Sequence, residues 1–268
     1  MESVISADGT IIAYDRSGQG PAVVLVAAAS ATAADEGPLA AALAPDFTVY
    51  AYDRRGKGNS GDLAPYAVAR EVEDLAAVIE AAGGSAFVFG HSSGAVLALE
   101  AALSLPGNIK KLALYEAPFI VDDSRPPTPD GFLVQLNDLL VAGRRGDAVE
   151  LWQRNIGLPD EMIAQFRRSP MWTAMEATAH TLPYDMTIMD DTQSGSPLPI
   201  RKYAAVGVPT LVLDGTLFLG REEGHAWMTH SADELARILP AAQRRTLPGQ
   251  DHGPAPDVLA PALKAFFA

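Results

Sequence analysis

The stretch from residue 85 to residue 100, SAFVFGHSSGAVLALE, constrains the fold more than any other part of this chain. Its first five residues are apolar, aromatic or β-branched and predict a strand, whereas the Ala- and Leu-rich pattern from Gly94 onward predicts a helix. Four residues must turn the chain between them, so we expect a strained backbone at Ser92, with Gly90 and Gly94 leaving room beside it. Such a turn lifts the Ser92 hydroxyl above the first free N–H groups of the helix, which suits a nucleophile. Ordinary helix capping by Ser92 is the alternative.

Strand and helix patterns alternate along much of the chain. Strands are predicted at 10–14, 22–27, 47–52, 85–89, 109–115, 208–213 and 244–247, and helices at 38–44, 67–82, 94–100, 232–239 and 257–267. The second strand is almost wholly apolar, as expected where both faces of a sheet are covered. The alternation predicts a parallel sheet with helices on both faces.

The alternation stops between residues 121 and 205. No clear strand pattern appears there, and helical patterns at 132–141, 147–153, 161–168 and 171–180 are interrupted by Pro and Gly. Large apolar side chains are concentrated in this segment, namely Trp152, Phe166, Met171, Trp172, Met175 and Met186. We interpret it as a helical cap with a small core of its own and an apolar face over a pocket. The core domain would then comprise residues 1–120 and 206–268.

Composition and charge limit the classes of partner. With 48% hydrophobic and 20% charged residues, the chain of 268 residues is typical of a globular protein. Its formal net charge of −13 disfavours binding to nucleic acid or to anionic membranes. The absence of Cys excludes disulfides and thiol nucleophiles. No signal-peptide pattern precedes the first strand, and the longest apolar run, 22–29, is too short to span a membrane. We expect a cytoplasmic monomer or homodimer that acts on a small molecule.

Three motifs resemble one family. Gly90-His91-Ser92-Ser93-Gly94 resembles the G-x-S-x-G nucleophile elbow of the α/β-hydrolases. Residues 52–60, YDRRGKGNS, resemble the family's Y-D-x-R-G-x-G-x-S loop, and residues 247–254, LPGQDHGP, resemble the loop that carries its catalytic histidine. The resemblance extends over essentially the whole chain. It implies the α/β-hydrolase fold, a mostly parallel sheet flanked by helices with an inserted helical cap.

The resemblance assigns two catalytic roles. Ser92 would be the nucleophile, and His252 the base that removes its proton and returns it to the leaving group. The other histidines are interpreted as structural or surface residues: His91, His180, His225 and His230. In the loop 52–60 we expect Asp53 and the two arginines to hold the loop in place.

The third member of the triad departs from the common family pattern. Most members carry an Asp shortly after the strand at 208–213, but residues 215–220 contain no carboxylate. Glu116, directly after the strand at 109–115, resembles the acid of haloalkane dehalogenases and would orient His252. Asp214 is the alternative acid, although strand alternation can point it the wrong way. For Glu116 a buried salt bridge is the structural alternative.

The oxyanion hole requires backbone N–H groups near Ser92. We assign one to Ser93 and the second to the turn after the strand at 22–27, at Ala29, with Ala28 as the next choice. Because backbone donors need no particular side chain, the absence of the common His-Gly pair in this turn is compatible with function.

The sequence also contains candidate metal ligands. Asp53, Glu222, Glu223, His225 and His230 carry metal-ligating side chains, but the two histidines, five positions apart, do not share a helical face. We interpret the Glu222–His230 region as a solvated acidic loop and expect neither metal nor cofactor.

The function that follows is a cofactor-independent serine hydrolase. The apolar cap and acidic surface favour a small or medium, neutral and largely apolar ester, lactone or thioester as substrate. A Ser rather than an Asp nucleophile argues against halide- or epoxide-opening relatives. Two alternatives stay open: a non-hydrolytic enzyme of the same fold, such as a perhydrolase, a carbon–carbon bond-cleaving enzyme or a ring-forming biosynthetic enzyme, and a ligand-binding protein without turnover.

Overall fold

The strand patterns come together in one eight-stranded sheet within residues 1–222 and 224–268, which the computed structural model describes. The strands are β1 (Glu2–Ile5), β2 (Ile11–Gly18), β3 (Ala22–Val26), β4 (Thr48–Tyr52), β5 (Ala86–His91), β6 (Ile109–Tyr115), β7 (Thr210–Asp214) and β8 (Ala242–Thr246). Their order across the sheet is β1-β2-β4-β3-β5-β6-β7-β8. The two pairs that involve β2 are antiparallel and the others are parallel. The predicted α/β fold with a mostly parallel sheet is confirmed.

Helices cover both faces of this sheet. They are α1 (Gly37–Leu43), α2 (Val68–Ala81), α3 (Ser93–Ser104), α9 (Ala226–Ile238) and α10 (Pro256–Phe267). Along β3, Val24 and Val26 belong to the hydrophobic cluster of α2, α3 and α9, whereas Val23 and Leu25 belong to that of α1 and α10. Because alternate side chains of β3 face opposite layers, the strand is apolar at every position.

The segment between β6 and β7, all of which is described, contains helices and no strand. These helices are α4 (Phe132–Val141), α5 (Arg145–Asn155), α6 (Asp160–Phe166), α7 (Pro170–Thr178) and α8 (Leu182–Met189), with short 3-10 turns at Ala179–Thr181, Asp190–Gln193 and Pro199–Ala205. Helix α8 was missed in the sequence because Pro183 interrupts the pattern. Proline is tolerated in the first turn of a helix, where its missing N–H is not needed.

Two further elements differ from the sequence prediction. The short edge strand β1 was not predicted, since its exposed residues lack an apolar pattern. Helix α9 begins at Ala226 rather than at residue 232, and it buries Trp227 and Met228 in its first turn. The longer helix places His225 at its N-terminal end. No helix in the described part of the chain is both long and apolar enough to cross a lipid bilayer.

Candidate active site

The turn between β5 and α3 holds Ser92 in a strained conformation. Its φ of 56° and ψ of −123° lie outside the regions that L-residues ordinarily adopt. A methyl group at Gly90 would lie 2.5 Å from the Gly94 carbonyl oxygen, and one at Gly94 would lie 2.3 Å from the Val26 carbonyl oxygen. Both positions therefore require glycine, and the predicted strained turn at Ser92 is confirmed.

Glu116 and His252 lie at hydrogen-bonding distance. Glu116 follows β6, its side chain is almost fully buried, and its Oε2 is 2.6 Å from Nδ1 of His252. The Gly215 N–H donates to Oε1 of Glu116 at 2.9 Å, a further bond that holds the carboxylate in position. Contact through Nδ1 leaves Nε2 of His252 available for a second partner. The histidine side chain is 37% exposed and lines a cavity together with Ser92.

A second histidine contacts the same carboxylate. His225 is buried, and its Nε2 lies 3.0 Å from Oε1 of Glu116, while its Nδ1 lies 3.2 Å from Oγ1 of Thr229. The interpretation of His225 as part of a solvated loop is therefore wrong. The apolar residues Trp227 and Met228 were a usable signal, since they extend the stripe of α9 back to residue 227 and so place His225 at a buried helix start.

The two histidines keep Glu116 ionised. Burial by itself raises the pKa of Glu116, but the hydrogen bonds from His225 and His252 outweigh burial, and the pKa falls to about 2. We call Glu116, His225 and His252 the histidine cluster. It pairs a fixed negative charge with an imidazole that faces the cavity.

Asp214, the alternative acid, has another partner. Its two oxygens each lie 2.8 Å from a terminal nitrogen of Arg244, in a bidentate pair. Within the described residues, Glu116 and not Asp214 is the carboxylate within hydrogen-bonding distance of the His252 imidazole.

A group of buried, oppositely charged side chains contacts Ser93, the residue that follows Ser92. Arg54 contacts Glu71 at 2.7 Å and Asp185 of α8 at 2.7 Å, and Lys57 lies 3.3 Å from Asp185. We call these four residues the arginine cluster. The Ser93 hydroxyl donates to Asp185 at 2.7 Å, so the cluster connects α8 to the residue that follows Ser92.

The arginine cluster also contacts the turn after β3. Lys57 Nζ donates to the Ala28 carbonyl at 3.2 Å, and Arg54 donates to the Ala27 carbonyl at 3.3 Å. In a trans peptide unit the N–H of Ala29 points opposite to the Ala28 carbonyl, so Lys57 fixes the direction of that N–H group. Ala29 and Ser93 both line the cavity with Ser92, and the Ser93 N–H is a first-turn helix donor without an intrahelical acceptor.

The loop 52–60 has the structural role expected from its sequence. Asp53 is buried and accepts the backbone N–H groups of Ala33 and Asn59, each at 2.8 Å. Arg55 forms a bidentate pair with Asp74, both distances being 2.8 Å. These bonds occupy the charged groups of the loop, as predicted.

The remaining histidines lie outside the histidine cluster, and the candidate metal ligands form no group within the described residues. The His91 side chain is partly buried, and its ring centroid lies 4.8 Å from that of His252. Desolvation, followed by the charge of His252, lowers the pKa of His91 to about 3. His180 lies 3.9 Å from Asp62, and His230 lies 2.6 Å from Asp122 at the surface. Glu223 falls outside the described residues, among which no group of three metal-ligating side chains is found.

The cavity beside Ser92 and His252 has a volume of about 210 Å³. Apolar side chains from the segment between β6 and β7 form much of its wall: Trp152, Ile156, Leu158, Met175 and Met189. Trp227 and Met228 of α9 line the cavity as well. The cavity is therefore largely apolar, and Ser92 and His252 are among the few polar residues that line it.

Comparisons with known proteins identify the family and the fold of this chain. A model described as the alpha/beta hydrolase family matches residues 23–262. An alpha/beta hydrolase from Sphaerobacter thermophilus is 51% identical with a TM-score of 0.91, and all of both chains is covered. An esterase from a Rhodococcus species is 21% identical with a TM-score of 0.67, over 99% of this chain and 97% of the other. An enol-lactonase from Burkholderia xenovorans is 20% identical with a TM-score of 0.69, over 99% of each chain.

A search of curated proteins finds no match. The family model covers most of the chain, and the Sphaerobacter structure is similar over its full length. The chain therefore belongs to the alpha/beta hydrolase family.

Proposed function

We propose that the protein is a cofactor-independent serine hydrolase that cleaves a small or medium ester, lactone or thioester through an acyl-enzyme on Ser92. The observation that carries the proposal is the 2.6 Å contact between His252 and the buried Glu116, at the cavity that Ser92 also lines. A nucleophile, a base and an oriented acid are the parts that acyl transfer needs.

In the proposed mechanism, the Ser92 hydroxyl attacks the substrate carbonyl while Nε2 of His252 takes its proton. Glu116 holds Nδ1–H of His252 and stabilises the imidazolium that forms. The backbone N–H groups of Ser93 and Ala29 donate to the oxyanion of the tetrahedral intermediate. His252 then protonates the leaving group, and a water molecule, deprotonated by the same imidazole, cleaves the acyl-enzyme.

The cavity volume and walls support the substrate class. A volume of about 210 Å³ is below the ~300–1,000 Å³ of typical ligand sites, which favours a small acyl group. We propose that residues 121–205 act as the cap over this cavity, since their apolar side chains form much of the wall. The names of the similar esterase and enol-lactonase also refer to acyl–oxygen bonds.

Labelling of the nucleophile tests the proposal. A fluorophosphonate should modify one serine, identified as Ser92 by mass spectrometry, and the protein should hydrolyse para-nitrophenyl butyrate. Ser92→Ala should abolish labelling and lower kcat by about 10⁴- to 10⁶-fold, whereas Ser104→Ala, an exposed serine at the far end of α3, should label and turn over as wild type.

The other outcomes are equally informative. Labelling of Ser92 without hydrolysis of any ester, lactone or thioester would favour the non-hydrolytic enzyme. Absence of labelling would favour a binding protein and would overturn the proposed mechanism.

A further inference from the structure

The cavity wall contains a cation that the proposed mechanism does not use. Arg125 lines the same cavity as Ser92 and His252. Among the described lining residues the carboxylate is Asp251, whose Oδ1 accepts the N–H groups of His252 at 2.7 Å and of Leu219 at 3.3 Å. The Asp251 carboxylate is thus bonded to backbone and forms no ion pair with Arg125.

The protein supplies Arg125 with few partners. One terminal nitrogen donates to the Asn155 carbonyl at the end of α5, and the guanidinium carbon lies 4.2 Å from the ring centroid of Trp227. No described carboxylate forms an ion pair with it. Three of the six other arginines between β6 and β7 have such partners: Arg144 with Asp147, Arg154 with Asp160, and Arg167 with Glu150. The remaining three, Arg145, Arg168 and Arg201, are exposed to solvent.

A guanidinium without a counter-ion in a largely apolar cavity destabilises the folded protein. Burial lowers the pKa of Arg125 to about 10, so the group is still charged at neutral pH. Its other N–H groups receive no acceptor from the described residues. A guanidinium presents a planar fork of donors that matches the two oxygens of a carboxylate, and an anion bound there would compensate the partly buried charge.

We propose that Arg125 binds a free carboxylate of the substrate, so that the enzyme selects esters or lactones that carry a carboxylate away from the scissile bond. This inference rests on the proposed serine hydrolase and specifies an anionic substrate in place of the neutral one expected from the sequence. The apolar wall, including the face of Trp227, contacts the methylene groups between the carboxylate and the reacting carbonyl. The competing role for Arg125 is structural, as a cation at the C-terminal end of α5.

A pair of esters that differ in charge but not in size tests the proposal. The mono-para-nitrophenyl ester of adipic acid carries a carboxylate, and the corresponding ester of adipic acid monoamide carries a neutral carboxamide in its place. The measured quantity is the ratio of kcat/KM for the anionic ester to that for the neutral ester. Because both esters meet the same catalytic groups, the ratio is insensitive to general damage.

The ratio should fall by about 10- to 100-fold in Arg125→Met, the range expected for hydrogen bonds to a charged group. Arg125→Lys should restore part of the lost ratio, because lysine restores the positive charge but not the planar fork of N–H donors. Arg168→Met, which removes the same charge from an exposed position, should leave the ratio unchanged. A ratio that stays at the wild-type value in Arg125→Met, with a lower Tm, would show a structural cation and overturn the proposal.

Binding without turnover separates this inference from the proposed function. Hexanoate should bind the wild-type protein at least about tenfold more tightly than hexanamide in calorimetry, and Arg125→Met should remove the difference. If hexanoate shows no preference, the inference fails even where neutral esters are hydrolysed. If hexanoate binds in this way but neither ester is hydrolysed, the hydrolase proposal fails and the carboxylate site stands.

Discussion

Two buried ionic clusters flank Ser92, and they differ in their access to the cavity. In the histidine cluster, His252 is 37% exposed and faces the cavity while Glu116 lies behind it. In the arginine cluster, every side chain is at most 2% exposed, and two cations balance the carboxylates of Glu71 and Asp185. The histidine cluster can therefore exchange a proton with a substrate in the cavity, whereas the arginine cluster has no access to the cavity.

The difference shows that buried charged residues can either take part in a reaction or hold the fold in place, depending on their access to the cavity. Burial raises the pKa of Asp185, but Arg54 and Lys57 outweigh burial and keep its pKa below the ordinary value. The hydrogen bonds of this closed cluster hold Ser93 and the Ala28–Ala29 peptide in place. In the proposed mechanism, His252 instead gains and loses a proton in each cycle, which requires an open side and one anionic partner.

The largest effect is expected from Glu116→Gln. The amide cannot stabilise the imidazolium of His252, so kcat for ester hydrolysis should fall by about 10³- to 10⁴-fold. Asp214→Asn is the matched control, because Asp214 pairs with Arg244 and should leave the turnover of the folded enzyme near wild type. Near-normal turnover in Glu116→Gln would remove the histidine cluster from the mechanism.

A smaller effect, on stability, is expected from Asp185→Asn. The change leaves two fully buried cations facing the single carboxylate of Glu71, and should lower the free energy of unfolding by about 3–5 kcal/mol. Asp160→Asn breaks an exposed pair with Arg154 and should cost less than about 1 kcal/mol. Urea titrations of both variants measure the two losses, and equal losses would mean that the closed cluster contributes no more than a surface pair.

The smallest effect concerns acid stability. The pKa of Glu116 is about 2 in the folded protein against an ordinary value of 4.5. Ionised Glu116 therefore contributes stability above pH 4.5, on the order of 3 kcal/mol, that is lost as pH falls towards 2. Glu116→Gln lacks this titration, so the difference in unfolding free energy between wild type and variant should shrink from pH 5 to pH 3. A constant difference over that range would contradict the low pKa.

Several features of the site could be predicted from local sequence. The strained turn at Ser92 follows from a strand and a helix separated by four residues, and the position of Glu116 follows from the end of an apolar strand. The helix at 132–141 has the same bounds in the structure as in the prediction. These features depend on neighbouring residues, so a local pattern is sufficient evidence for them.

Other features depend on contacts between distant parts of the chain. Which carboxylate meets His252 required the structure, since Glu116 and His252 are 136 residues apart and Asp214 satisfied the local criteria almost as well. His225 was assigned to a solvated loop because the helix was predicted to begin at residue 232, whereas α9 begins at Ala226. The environment of Arg125 was equally hidden, since its neighbours in the cavity come from α5, α9 and the loops after β3, β5 and β7.

The sequence by itself determined the strand–turn–helix that presents Ser92, the alternation that makes a mostly parallel sheet, and the family motifs. Only the tertiary structure decided that Glu116 carries two histidines, that Asp185 closes an ionic cluster beneath Ser93, and that Arg125 enters the cavity without a counter-ion among the described residues. The physical reason is that backbone turns and apolar periodicity are set by adjacent residues. The partner of a charged side chain is set by which distant segments the packed core brings together.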